Sequence, residues 1–421
     1  MRRPTPIIVS ALLVLLLLPA AGSADGPRYP ALNLSGDDIE RTPVIPGFHA
    51  LLTGRVQNVS KVATDADGAT YEPGFSIDTQ LRVGAHWDTG KTLNWAQLAF
   101  DYEHDFMVGT VHGGLSDMEG TYVPGQARAD AQQLRKLQAR ISFGPYLSFT
   151  GGVTTSHWGL GLIANDGAHG WAPGSGYFSD PRGGDRVLRG ALATGPHTAA
   201  EMVIFAAADK VLGDDVLVDG DEAIQFIGGA SFGRTAPWKA GVYGVYRIQR
   251  AADGQKTKVA VVDLYGAYDM ELGDGRFFRL AAEGAFIFGT TELAPSTDFP
   301  EHDVLQIGAA LRAVFDDPMG GAALDVLYAS GDRNLDDKSQ NGFKADVNYD
   351  MGMLHYKTVI AAQTSRSPFT ASNPELLGVP AEDLDRFPTR GSATNTIAVM
   401  PRGFVRPAPG LELYAGVLLA L

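Results

Sequence analysis

Lys258 to Phe288 reads KVAVVDLYGAYDMELGDGRFFRLAAEGAFIF, and the alternation within it decides the fold. Every second residue from Ala260 suits a hydrocarbon surface: Ala260, Val262, Leu264, Gly266, Tyr268 and Met270. The intervening Val261, Asp263, Tyr265, Ala267 and Asp269 make a mixed, small and acidic face. After Leu272-Gly273-Asp274-Gly275 the alternation resumes. Phe278, Leu280, Ala282, Gly284, Phe286 and Phe288 share one face, and Phe277, Arg279, Ala281, Glu283, Ala285 and Ile287 the other. Period-two alternation on both sides of an Asp-Gly turn predicts an antiparallel hairpin, because successive strand side chains point to opposite faces. Each arm is longer than the usual soluble strand and long enough to cross a bilayer at a tilt.

The same signal recurs outward from this hairpin. Ser76–Trp87 sets Ile77, Leu81, Val83, Ala85 and Trp87 against Asp78, Gln80, Arg82 and His86. Leu93–Phe106 sets Leu98, Phe100, Tyr102 and Phe106 against Gln97, Asp101, Glu103 and Asp105. Lys136–Gly144 sets Leu137, Ala139, Ile141 and Phe143 against Lys136, Gln138, Arg140 and Ser142. Further strands are expected at Ala50–Lys61, Tyr146–Ser156, Arg186–Leu192, Thr198–Ala208, Glu222–Phe232, Trp238–Arg250, Val304–Phe315, Ala322–Ser330, Asn395–Val405 and Leu411–Leu421. Connections alternate in length. The short ones are Asp88–Thr92, Gly144–Pro145, Ala193–His197, Gly233–Pro237, Gly273–Gly275, Asp316–Gly320 and Arg406–Gly410, and the long ones mostly fall between them. Short periplasmic turns opposite long external loops mark a transmembrane antiparallel β-barrel of the bacterial outer membrane.

Composition agrees. The 421 residues include no Cys, which excludes disulfides, thiol catalysis and Cys-ligated metals and suits export through an oxidising compartment. A formal net charge of -14 argues against a nucleic-acid partner. Arg2 and Arg3, the apolar run Ile7–Leu18 and the small residues up to Ala24 have the order of a cleaved secretory signal peptide. The expected division is therefore 1–24 signal peptide, 25–47 periplasmic lead-in and 48–421 barrel, placed in the outer membrane of a Gram-negative bacterium.

The alternation weakens after Ser330. Phe343–Asp350 and Met351–Ser365 read either as two strands or as parts of one large external loop, with or without a helix. Either reading gives an odd count, about 17 or 15, where even numbers are the rule; a third, with only the second segment a strand, gives an even count but puts a long connection on the periplasmic side. A complete barrel is then expected to have about 16–18 strands, with the given sequence lacking the last one.

Val326-Leu-Tyr-Ala-Ser-Gly-Asp-Arg333, followed by an Asp-rich loop, resembles the strand-to-loop junction of alginate-export-type outer-membrane barrels. Ser156-His-Trp-Gly-Leu-Gly-Leu-Ile-Ala-Asn-Asp166 is similar to Trp/Gly/Asn segments near an outer loop of related barrels. The resemblance implies a porin-like barrel over about Ser76 to Leu421, whose basic lumen passes an anionic polysaccharide.

Candidate lumen-lining residues are Arg82, Asp101, Glu103, Arg140, Arg247, Asp263, Arg279, Glu283 and Arg312. Charged rings facing water select permeants by sign, whereas charges paired across neighbouring strands keep a lumen wet and rigid. Enzymatic readings are weaker. The nine His have no metal-motif spacing. Gly229-Ala-Ser231-Phe-Gly233 closes a strand into a turn, not into the helix a nucleophile elbow needs. Gly90-Lys91-Thr92 lacks the earlier Gly of a phosphate loop. The Asp-rich loops around Asp214–Asp221 and Asp332–Asp337 lack EF-hand spacing. No cofactor and no enzymatic activity are expected.

The function this supports is an outer-membrane channel or export pore for small polar solutes or an anionic polysaccharide, with outer-membrane lipid and lipopolysaccharide as partners. The alternative is a structural or adhesive barrel whose external loops bind a surface partner. An open polar passage with a charged waist favours the channel, and a plugged lumen favours the alternative.

Overall fold

The computed structural model describes the chain from Gly47 to Leu421 except 60–61, 64–69, 72–73, 90–95, 111–130, 145, 168–183, 215, 218–219, 294–297, 334–336, 350, 353–354, 362–363, 365–388, 390 and 410. The expected signal peptide and lead-in lie outside the described residues. The hairpin at Lys258–Phe288 forms as its alternation dictates. Its arms are β10 (Lys256–Gly273) and β11 (Arg276–Thr291), and the turn residues Asp274 and Gly275 both have positive φ, 56° and 75°. That is the backbone twist a two-residue hairpin turn requires.

Nine long strands precede this hairpin: β1 (Gly47–Val59), β2 (Gly74–Asp88), β3 (Gln97–Thr110), β4 (Ala131–Phe143), β5 (Leu147–Thr155), β6 (Arg186–His197), β7 (Met202–Gly213), β8 (Glu222–Phe232) and β9 (Trp238–Arg250). Four follow it: β12 (His302–Asp317), β13 (Gly320–Ala329), β14 (Thr396–Ala408) and β15 (Leu411–Gly416). Each pairs antiparallel with its sequence neighbour, from β1–β2 to β14–β15. The sheet counts seventeen strands when the two-residue segments Ser339–Gln340 and Leu419–Ala420 are included. The fifteen long ones match the reading in which Phe343–Ser365 belongs to one large loop.

Two expectations shift. The turn expected at Ala193–His197 sits instead at residues 198–201, because β6 continues through an irregular stretch between Thr194 and His197 before turning. The described residues of Phe343–Asp350 and Met351–Ser365 form no wall strand. The first makes one isolated bridge, Lys344 to Thr394, and the second contains a π-helical turn at His355–Ile360.

The two faces of the sheet differ as a membrane wall requires. Leu264, Tyr268, Leu280, Phe286 and Phe288 stand exposed, while Asp263, Tyr265, Ala281, Glu283 and Ala285 from the same strands are buried. Exposed aromatics form two rows across the outer face. Phe226 opposes Tyr246 toward the long-loop end, and Trp238 opposes Tyr268 toward the short-turn end. From Ala260, which faces Tyr246, to Tyr268 is eight residues, roughly 27 Å of strand. Tilted at ~40°, that spans most of the ~25 Å apolar band of such barrels. No described helix is long and apolar enough to cross a membrane.

Candidate functional site

Two segments fold inward against the buried face of the sheet. The first is Ser156–Gly167, between β5 and β6. Its base is closed by the Ser156 amide donating to the Asp185 carbonyl (3.1 Å) and the Asp185 amide to the Asn165 carbonyl (3.0 Å). Inside, the Gly161 amide donates to the Trp158 carbonyl (2.8 Å) and the Trp158 amide to the Ala164 carbonyl (3.1 Å). Gly159 has φ 57°, and a Cβ there would fall on the Glu283 carboxylate, so the glycine permits both the turn and the close approach.

This segment seats Trp158 in an aromatic nest. The indole stacks on Tyr243 (centroids 5.3 Å, planes 21° apart) and meets Tyr265 edge-on at 6.5 Å and Phe205 at 6.1 Å. Gly241 leaves the room in which the six-membered ring sits. Trp158 is 1 % exposed. Its Nε1–H donates to Asp263 Oδ1 at 3.0 Å. The Glu283 carboxylate accepts the amides of both Leu160 and Leu162, the latter at 3.1 Å. Asp263 and Glu283 lie on adjacent strands, Tyr265 being the residue directly opposite Glu283. Two of the candidate residues therefore hold a loop rather than face water.

The second inward segment comes from the chain between β13 and β14. Phe343, Ala345, Tyr349, Met351 and Tyr356 are buried, and the Asp346 amide donates to the Leu162 carbonyl at 2.9 Å, joining the two segments. The Arg312 guanidinium lies 6.0 Å from the Tyr349 ring centre, and the Tyr356 hydroxyl meets Thr396 Oγ1 at 2.9 Å.

Charges on the buried face are organised by register. Arg82 opposes Asp105, His86 opposes Asp101, Glu103 opposes Lys136, Arg189 opposes Asp209, Asp269 opposes Arg279 and Arg312 opposes Asp325. Five of the opposed pairs are ion pairs, 2.7 Å for Arg82–Asp105, 3.1 Å for Lys136–Glu103, 2.6 Å for Arg189–Asp209, 2.5 Å for Arg279–Asp269 and 2.5 Å for Arg312–Asp325, and His86 Nδ1 lies at hydrogen-bond distance, 2.6 Å, from Asp101. Opposite charges directly across an antiparallel pair are the favourable arrangement. Arg402 also binds Asp325, so one carboxylate serves two guanidiniums. Arg247 binds Asp214 of the 214–221 loop and donates to Gln249 Oε1 at 2.8 Å. Burial alone would push the Asp214 carboxyl up, but the Arg247 charge and the amides of Leu217 and Val216 bring it below the ordinary carboxylate value. Arg140 is half-buried and close enough to act on Asp101 through its charge.

Of the nine candidates, all stand on the buried face, but they fall into different surroundings. Arg82, Asp263, Glu283 and Arg312 are buried, whereas Asp101 (28 %), Arg279 (17 %) and Glu103 (16 %) retain more exposure. The candidate set omits Arg135, Arg189, Asp209 and Arg402. The turn expected at Ala193–His197 sets Arg189 opposite Glu201 and leaves Asp209 beyond the strand, so their pairing depends on the shifted turn. Strict alternation from Lys136 sends Arg135 outward, but a bulge opposite Glu103–His104 turns both Arg135 and Lys136 inward. Arg135 then donates to the Asp166 carbonyl at 2.7 Å, tying β4 to the first inward segment.

The remaining motifs have structural surroundings. Gly229–Gly233 ends β8 in a turn. Asp332 accepts the Asn341 amide and Asp337 the Ser339 amide. Among the described residues no three His, Cys, Asp or Glu side chains are grouped to hold a metal. Gly90–Thr92 lies outside the described residues.

No protein-family model matches the sequence, and no curated protein matches it. Solved structures do resemble it in fold. Acinetobacter baumannii OccAB1 shares 10% identity with a TM-score of 0.51, over 91% of this chain and 83% of that one. The likeness shows the fold. The chain is a transmembrane antiparallel β-barrel. The outer membrane channel DcaP of Acinetobacter baumannii aligns over 89% of this barrel and 91% of its own chain, at 11% identity and TM-score 0.47. Pseudomonas putida OprB aligns over 89% and 93%, at 12% identity and TM-score 0.45.

Proposed function

We propose that the barrel is a narrow, loop-constricted channel of the Gram-negative outer membrane for small polar solutes, exported by a signal peptide cleaved after Ala24. The observation that carries this is the division of the buried face. Along β6–β13 the interior is filled by the Trp158 and Phe343 segments. Along β2–β4, and at the short-turn end of β9–β11, polar and charged side chains on the same face keep contact with water: His86, Asp101, Glu103 and Lys136 in one group, Lys239, Asp269 and Arg279 in the other. A water-reached, charge-lined strip beside a filled one is how a barrel wide enough for a polymer becomes a small-solute pore.

The finer alginate-export reading, with an anionic polysaccharide as permeant, has less support. It needs width, which the inward segments remove, and a basic wall, whereas the arginines here are matched by Asp105, Asp209, Asp269 and Asp325. The buried aromatic nest favours one second reading, a closed barrel with a structural or adhesive role.

Single-channel recording in planar bilayers decides between them. The channel reading expects small, salt-dependent conductance steps from the purified protein. Silence under every salt and voltage tried, from protein shown to be inserted, would overturn it in favour of the closed barrel. Neither reading involves catalysis.

A further inference from the structure

We propose that the outer wall carries a docking patch for the phosphate groups of outer-leaflet lipid, formed by Lys210, Arg250, Lys256 and Lys258. This rests on the outer-membrane reading above. All four residues are exposed and stand on the lipid-facing parity of their strands, in line with Ile204, Tyr246 and Val262. They converge because the register brings them together. Lys210 opposes Ile224, Ile224 opposes Ile248 and Ile248 opposes Lys258, while Arg250 opposes Lys256 one step further toward the long loops.

Depth identifies the partner. The exposed aromatics Phe226, Tyr246 and Phe288 form the row two residues below the Ile224–Ile248–Lys258 row, Ala260 lying between the last two. Lys258 is therefore roughly 7 Å of strand beyond the aromatic girdle, and Arg250 and Lys256 about twice that. Girdle aromatics mark the edge of the hydrocarbon, so the cations lie at headgroup depth. Acidic groups nearby offset only part of this charge, and Glu222, exposed on the same face, also stands opposite Arg250 in the register. Glu222 pairs with Lys210 at 3.4 Å, the Glu292 carboxylate accepts the Lys256 backbone amide at 2.8 Å, and Asp253 accepts the Gln255 amide at 3.0 Å. The side chains of Arg250, Lys256 and Lys258 form no ion pair among the described residues. Three cations facing lipid on a chain of net charge -14 are a local exception that anionic headgroups fit.

The test uses the full-length protein reconstituted in phosphatidylcholine vesicles doped with bis-phosphorylated lipid A or its dephosphorylated form, and compares it with R250Q/K256Q/K258Q. All three substitutions are at exposed sites, so the barrel is retained. Protease protection of the strands reports insertion, and lipid co-purifying after detergent extraction reports docking. The expected result is retention of phosphorylated lipid A by the native chain, falling about tenfold or more in the triple variant, with no difference for the dephosphorylated form. Equal retention by both proteins overturns the patch while leaving the membrane reading intact. Retention abolished by millimolar inorganic phosphate, with equal phosphate binding in the absence of lipid, makes it a free-anion site and also overturns the lipid assignment. A native chain that gains no protease protection rejects the transmembrane reading itself.

Discussion

Asp325 is a single carboxylate between Arg312 and Arg402, and all three are buried. Removing it takes a shared counter-charge from two buried guanidiniums, so Asp325→Ala is expected to destabilise the folded barrel by about 3–5 kcal/mol. A lowered urea midpoint of reconstituted protein checks this, and an unchanged midpoint contradicts it. Arg279 is different, because its pair with Asp269 keeps contact with water. Arg279→Glu would replace a cation beside Asp269 with a second carboxylate, Lys239 remaining 3.6 Å from Asp269. Reversal potentials in asymmetric salt are expected to move toward cation selectivity. Arg312→Glu is expected to impair folding instead. If Arg279→Glu leaves the reversal potential where it was, this end of the barrel does not carry the current.

At the scale of elements, the Ser156–Gly167 segment is held by Trp158 in its nest and by two carboxylates. Trp158→Ala removes the stacking and the indole hydrogen bond, a loss of about 3–5 kcal/mol from the docked form. Larger and noisier conductance steps than those of the native protein are the expected outcome, and identical traces would show that the segment constricts nothing. The 214–221 loop responds to acid. Asp214 is held below the ordinary carboxylate value, so its contribution is complete above about pH 4 and disappears as pH falls through the lowered value. Cleavage of this loop by an acid protease should therefore appear only in strong acid for the native chain and already at mildly acidic pH for Asp214→Asn. These elements also show what the sequence discloses. Strands are legible because burial on one face and lipid on the other impose period two, and the hairpin at Lys258–Phe288 folds as written. The β6 turn was misplaced because Gly195-Pro196 reads as a turn but sits within the strand. The inward segments were unreadable, since their apolar residues are matched to surfaces assembled from distant strands and carry no local period.

For the whole molecule, the meander order has a temporal side. Every long strand joins the one before it, so the wall can grow hairpin by hairpin with few long-range closures. The Trp158 segment cannot follow that sequence, because it leaves β5 yet rests on Phe205, Tyr243, Tyr265 and Glu283, all later in the chain. Its seat does not exist until β11 is in place. Refolding into vesicles should thus show strand formation by circular dichroism before the burial of Trp158, followed by fluorescence in a protein whose other tryptophans are replaced. Simultaneous signals would mean that the nest forms with the wall. The order matters for assembly: while the wall is being laid down, the interior is still unobstructed, and the barrel narrows itself as a final act.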